Sequence, residues 1–407
     1  MKELCGKHFY KIIIFYTFMA GGFQLIDQFY GATYLLKMNE QGLSLFNISL
    51  ILGILDLVNA IVDYPSGVIS DYIGRKKTAG ISLIIYSIGL LIFALANSVA
   101  IYIVSSVIIA VALALYSGSP AAWFYDIMVK YDMVSKRGEI MPKMATVVRG
   151  FAILANGISF LLVLYSVKWP LFCSAVISFG IGILYLCSFE DNKGKTEGMS
   201  FGETLLLFSS KFLKDGRMRL IVIYDGISYV ATAFFVLEWQ LYLVNEFGIQ
   251  KNYISLILIL FMFCMMIGGY IAGKFSKFKD VFAGTYIGKI VMAVSLIMIL
   301  FSDNLILLLI SMGIFEIALS MCSITESIWV NDYIEADNRA SFYSALSALL
   351  KLFGFFIILL AGYIVNQFGY VFGWKVCFAT NIISALALLF FVKKYGNSFL
   401  YNSKCRE

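Results

Sequence analysis

Runs of about twenty apolar residues recur along the whole chain, and they leave few choices of architecture. IIYSIGLLIFALA, beginning at Ile84, and YISLILILFMFCMMIGGYIAG, beginning at Tyr253, lie in two of them. Neither shows the apolar–polar alternation of an outer-membrane barrel strand. Coiled as helices, such runs span the hydrocarbon of a bilayer. Composition agrees. Of 407 residues, 61% are hydrophobic and 14% charged, where a soluble protein carries roughly 25% charged. That is too little polar surface to cover a water-soluble globule, so the excess apolar mass must face lipid. The expected fold class is an all-α polytopic membrane protein.

The amino terminus has features of a signal peptide, with Lys2, Lys7 and Lys11 ahead of an apolar run. The run continues to Leu36 and contains Asp27, too long and too polar for a cleaved segment, so it reads as the first span. The seven cysteines lie mostly within spans and lack CxxC spacing, which suits small apolar packing residues rather than disulfides or metal ligands. His8 is the only histidine. No metal and no cofactor is expected.

Twelve spans are predicted, at about 11–36, 45–70, 79–97, 100–123, 144–166, 169–189, 218–244, 252–274, 281–301, 305–328, 342–366 and 372–392. With the amino terminus on the cytoplasmic side, twenty-four lysines and arginines fall in cytoplasmic segments and four outside. The positive-inside rule therefore predicts that both termini are cytoplasmic, in the cell (inner or plasma) membrane. The net charge of +6 reflects this orientation, and no nucleic-acid partner is called for. The longest polar stretch divides the chain into an N-terminal six-helix bundle (1–189), a cytoplasmic linker (190–217) and a C-terminal six-helix bundle (218–407). Within the linker, FGETLLLFSSKFLKDG reads as an amphipathic helix on the inner membrane face.

The halves carry traces of each other. GVISDYIGRKK from Gly67 returns as GYIAGKFSKFK from Gly269, WFYDIM from Trp123 as WVNDYI from Trp329, and FQLID ending at Asp27 as FFVLE ending at Glu238. Three matches in consistent order suggest parallel six-span repeats.

GVISDYIGRKK also carries a family resemblance. A glycine, three residues, an aspartate, two residues, a glycine and a basic run resemble the signature loop between spans two and three of the major facilitator superfamily. The resemblance implies two pseudo-symmetric six-helix bundles with a binding site between them. It implies that Asp71, at the cytoplasmic end of span two, faces the amino terminus of span eleven, where the helix dipole favours an anion. Gly67 would allow close helix contact, and Gly74 with Arg75, Lys76 and Lys77 would form a tight turn held inward. Together they would latch the halves when the cytoplasmic side is closed. SGSPAAWFYD, from Ser117, resembles the end of span four in drug-exporter-like members, with Ala121 where a glutamate is common. Span four lacks the mid-helix arginine of many proton-coupled exporters. Span five, RGFAILANGISFLL, lacks the glycine-proline motif of many antiporters.

An ionisable side chain within a span costs about 2.5–3.5 kcal/mol on insertion scales, so each needs a reason. Asp27, Asp56, Asp63, Arg149, Asp225, Glu238, Lys289, Glu316, Glu326 and Lys351 qualify. The family architecture puts spans one, four, seven and ten around the cavity, which makes Asp27, Asp225, Glu238 and Glu316 the substrate or proton candidates. Desolvation favours the neutral form of a carboxyl, which suits one to carry a proton. Asp56, Asn59, Asp63, Gly67 and Asp71 recur at helical spacing on one face of span two. An Asp63–Lys351 ion pair between the halves is expected, as a lock or a gate. Tyr30, Tyr34 and Trp239 are among the rings on the cavity helices, and beside acids they would suit an amphipathic cation.

The leading expectation is a secondary transporter, not an enzyme, exporting a small amphipathic molecule by alternating access. Protons would be the coupling ion, the bilayer its solvent and a monomer its working form. The alternative is an importer or facilitator of a nutrient on the same fold. A membrane enzyme or receptor fits less well, for want of a nucleophile–base pair, a phosphate loop or a sizeable soluble domain.

Overall fold

In hydrocarbon, a backbone must satisfy its own amides, and runs of this length do so by coiling. The computed structural model describes residues 2–193, 214, 216–275, 281–333 and 339–403. Among them are thirteen α-helices and one 3-10 turn, Val134–Lys136. The first unit holds α1 (Lys2–Glu40), α2 (Leu45–Ile73), α3 (Arg75–Leu95), α4 (Val99–Tyr116), α5 (Ser119–Lys130), α6 (Arg137–Val163) and α7 (Lys168–Cys187). The second holds α8 (Gly216–Asn245), most of α9 (Tyr253–Phe275), α10 (Val281–Leu300), α11 (Leu305–Tyr333), α12 (Arg339–Phe368) and α13 (Tyr370–Ser403). Twelve stretches of the described chain are long and apolar enough to cross a membrane.

Local chemistry sets several helix ends. Ser44 and Ser98 accept amide hydrogen bonds from Asn47 and Ile101, capping α2 and α4. The fourth span differs from its expected form as one continuous helix over 100–123. α4 stops at Tyr116, Gly118 turns with φ +74°, and α5 restarts at Ser119 with Pro120 in its first turn. Proline suits a first turn and breaks a helix interior, so Ser-Gly-Ser-Pro divides the span. Ser119 Oγ lies within hydrogen-bond distance of both the carbonyl of Leu115 and Ser70 Oγ, tying the break to α2. Other helices outrun their apolar cores. α1 reaches Glu40, α6 begins at Arg137 and α13 extends to Ser403. The expected amphipathic helix at 201–216 lies, but for Lys214 and Gly216, outside the described residues.

The chain forms two units, Met1–Ser200 with Gln250–Leu256, and Phe201–Ile249 with Ile257–Glu407. In the first, α1 packs on α6 and α7, α2 on α4, and α3 on α4 and α7. α3 and α7 cross at glycines. A Cβ on Gly80 would stand 2.9 Å from the Gly182 carbonyl oxygen, and one on Gly182 2.8 Å from that of Gly80. In the second, α8 packs on α12 and α13, and α10 on α11 and α13. Each unit buries the tryptophan of the WFYDIM/WVNDYI repeat in its own core. Trp123 sits with Phe9, Ile12 and Met144, and Trp329 with Tyr224, Phe282 and Phe391. The sequence repeat is thus also a repeat of packing.

Candidate functional site

The loop between α2 and α3 is built from backbone outward. Gly74 ends one helix and precedes the next with φ +124° and ψ 132°, a conformation open to glycine and strained for other residues. A Cβ there would collide with the Asp191 carboxylate. That carboxylate caps α3, its oxygens accepting from the amides of Lys76 (2.8 Å) and Lys77 (3.1 Å). The three cations have three different roles. Arg75 bridges Asp71 Oδ1 (2.9 Å, from Nε) and Asp126 Oδ2 on α5 (2.7 Å, from Nη1). Lys76 is buried and donates to the carbonyls of Tyr185 (2.7 Å) and Ser188 at the end of α7. Lys77 is exposed. A continuous α2 keeps Asp56, Asn59, Asp63, Gly67 and Asp71 on one face. Gly67 has open space where a Cβ would stand. Asp63 and Lys351 are both half-buried and belong to different units.

In the first unit α1 presents an acidic and aromatic face at membrane depth. Asp27 is exposed there. The Tyr30 and Tyr34 rings stack at 5.1 Å with 15° between their planes. Both rings lie within electrostatic reach of Asp27 and of Asp56 on α2. Tyr30 also meets Phe93 edge-on at 5.4 Å, and its hydroxyl is buried without a hydrogen-bond partner. Gln28 accepts from Asn156 of α6 at 2.8 Å, which orients the neighbouring turn.

The second unit holds the other three candidate carboxyls. Glu238 is 0% exposed and neither of its oxygens has a hydrogen-bond partner. It is pressed against Gly373 of α13, where a Cβ would collide with it. Nearby, Phe235 stacks on Phe315 at 4.2 Å and meets Trp374 at 5.8 Å, while Trp239 packs on Phe261 at 5.0 Å. Glu316 on α11 is buried and within electrostatic reach of Cys264. One carboxyl oxygen of Asp225 on α8 is also buried without a hydrogen-bond partner. Asp27 and Glu238 occupy matching places in the sequence repeat, yet one is exposed and the other closed over.

Sequence reading missed Asp56 as a neighbour of the tyrosines, and Asp126 and Asp191 in the loop. Asp126 stood within the repeated WFYDIM and was legible there. Asp191 gave no signal, because it joins the loop only through folding. Among the described residues, no group of three or more His, Cys, Asp or Glu is placed to hold a metal ion.

Twelve stretches of the described chain long and apolar enough to cross a membrane, with ionisable side chains in both units, are those of a multi-pass membrane protein. The family model described as Major Facilitator Superfamily matches residues 12–237 and 221–398, and the chain belongs to that superfamily. No curated protein matches it. Among solved structures it is similar to the nucleoside transporter NupG (15% identity, 94% of this chain and 99% of that one, TM-score 0.80). It is also similar to a bacterial homolog of the human lysosomal transporter Spinster in an inward-facing, occupied conformation (14%, 94% and 97%, TM-score 0.74). A third likeness is to the human organic anion transporter MFSD10 (12%, 93% and 99%, TM-score 0.63). At these identities the likeness is one of fold.

Proposed function

We propose that this transporter exports a small amphipathic solute bearing a cationic group, by alternating access coupled to protons. The observation that carries the reading is the stacked Tyr30–Tyr34 pair within electrostatic reach of the carboxyls of Asp27 and Asp56. Two ring faces beside two acids favour an amphipathic cation through apolar burial and cation–π attraction. Asp27, Glu316, Glu238 and Asp225 are the substrate or proton carboxyls, and Tyr30, Tyr34 and Trp239 the rings that line the path. Gly67, Asp71, Gly74 and Arg75 form the latch, and Asp63 with Lys351 the pair between halves. Arg75 bridging two aspartates supports the latch. The halves are 1–189 and 218–407, joined by a cytoplasmic linker at 190–217. The cation asymmetry supports cytoplasmic termini in the cell membrane, and the working form is a monomer.

The test is a thermal-shift screen of purified protein against a compound library, repeated with Asp27→Asn. Hits are expected to be organic cations, and their stabilisation to fall by at least about tenfold in affinity on loss of one charge partner. Hits that are indifferent to the change would remove Asp27 from the binding site. The fold shared with a nucleoside transporter supports a second reading, import of a small polar nutrient. Counterflow in oriented vesicles, with and without a pH gradient, separates the two.

A further inference from the structure

In the first unit α1 and α6 pack side by side and part toward their amino-terminal ends. Farther along they are fastened. Gln28 accepts from Asn156 at 2.8 Å, and the Phe18 and Phe151 rings meet edge-on at 5.7 Å. Phe151 also lies over Gly21, where a Cβ would stand 2.6 Å from its ring. Beyond that contact a groove of about 540 Å3 opens between the helices. Pro142 sits in α6 along this stretch, and a proline inside a helix removes a backbone bond and favours a bend. We propose that the groove is a binding site for an anionic phospholipid, with an acyl chain between α1 and α6 and the phosphate at Lys136 and Lys143. The inference goes beyond the transport reading and depends on neither the solute nor its direction.

The groove has apolar walls and a charged end. Tyr10, Ile14 and Phe18 of α1 line it with Ile140, Val147 and Phe151 of α6. Tyr10, Ile14, Phe18 and Val147 are each at least 50% exposed, which leaves a continuous apolar surface for a chain to cover. Thr17, the polar residue in the wall, donates its hydroxyl to the Ile13 carbonyl at 2.7 Å. At the open end Lys136 precedes α6, and Glu139 and Lys143 stand in its first two turns. Lys143 pairs with Glu139 at 2.7 Å, and among the described residues Lys136 has no ion pair. Two lysines against one glutamate leave this end with one net positive charge. No side chain caps α6, so its first amides also favour an anion. The neighbouring Arg137 is turned to α5, its guanidinium 5.7 Å from the centre of the Tyr125 ring.

Size and charge select the occupant. Spread from Phe9 to Phe18, about 14 Å of helix, the volume leaves a section about 6 Å across. A hydrocarbon chain fits that section, and a helix about 10–12 Å wide does not. A soluble anion would find cations at one end and only hydrocarbon along the rest. The cationic solute proposed above is disfavoured by the net positive end. An anionic phospholipid matches both parts, and basic pockets between transmembrane helices suit its headgroup. Bound there, it would hold the parted ends of α1 and α6 at a set separation and so stabilise the first unit.

Thermal unfolding of the purified full-length protein in detergent tests the site, with dioleoyl phosphatidylglycerol, dioleoyl phosphatidylcholine or inorganic phosphate titrated in. Phosphatidylglycerol is expected to raise the melting temperature saturably, at a concentration at least about tenfold below that needed of phosphatidylcholine. Phosphate alone should leave it unchanged. Lys136→Gln combined with Lys143→Gln should bring phosphatidylglycerol to the level of phosphatidylcholine. Lys130→Gln, which removes an exposed cation of α5 outside the groove, should keep the preference. Val147→Trp fills the groove from an exposed position and should abolish the saturable rise. Unfolding without lipid checks that each variant folds, and Ile14→Trp fills the groove from α1 should Val147→Trp fail to. Equal action of the two lipids, or a preference that survives the double lysine change, would overturn the headgroup site. So would a response to phosphate alone, which would mark a free-anion site. A full rise in the filled variant would overturn the chain's place between α1 and α6.

Discussion

A fully buried glutamate with no hydrogen bond on either oxygen is costly unless it is neutral or has a partner to meet. Glu238 is held in that condition by a single missing methyl group. Gly373 leaves the notch that the carboxyl fills, and a Cβ there would collide with it. Gly373→Ala is therefore expected to lower stability by about 1–3 kcal/mol, as overpacking does. Adding Glu238→Ala should recover most of the loss, read as the melting temperature of both variants in detergent. No recovery would mean that Gly373 serves the backbone and not the carboxyl. Glu238 was legible in the sequence as a charge within an apolar run. Gly373, 135 positions along the chain by residue number, was one glycine among 33 until folding set it against that carboxyl.

At the scale of the element, α3 begins with a turn of three cations, which the helix dipole disfavours at an amino terminus. Asp191 offsets this by taking the amides of Lys76 and Lys77, and Lys76 turns away to cap the far end of α7. Asp191→Ala is expected to cost about 0.5–2 kcal/mol, the range for loss of a helix cap. Faster amide exchange confined to the first turn of α3 would report it. Unchanged protection at Lys76 and Lys77 would show that another group caps the helix. The glycine, aspartate and basic run of this loop were readable from their spacing. The capping partner was not, because Lys76 and Asp191 are 115 residues apart. The break in the fourth span was different. Gly118 and Pro120 mark it in the sequence, but the unbroken apolarity of the preceding run masks it.

For the whole molecule, the prediction is that Asp63 and Lys351 depend on each other. Leaving one charge of an ion pair unmatched costs more than removing both. Lys351→Ala is thus expected to reduce transport more than Lys351→Ala combined with Asp63→Asn. A double variant as impaired as the single, at equal protein in the membrane, would sink the pair. The chain by itself determined the helical class, the twelve spans, the repeat and the signature loop. These rest on transfer free energy and spacing, which add up along a contiguous run of residues and need no knowledge of neighbours. Only the tertiary structure decided which charges meet. It stacked Tyr30 on Tyr34, set Glu238 against Gly373, and brought Arg75 to both Asp71 and Asp126. Those pairings follow from how helices rotate and cross when their small residues and polar groups find partners, and no local pattern in the sequence encodes that rotation.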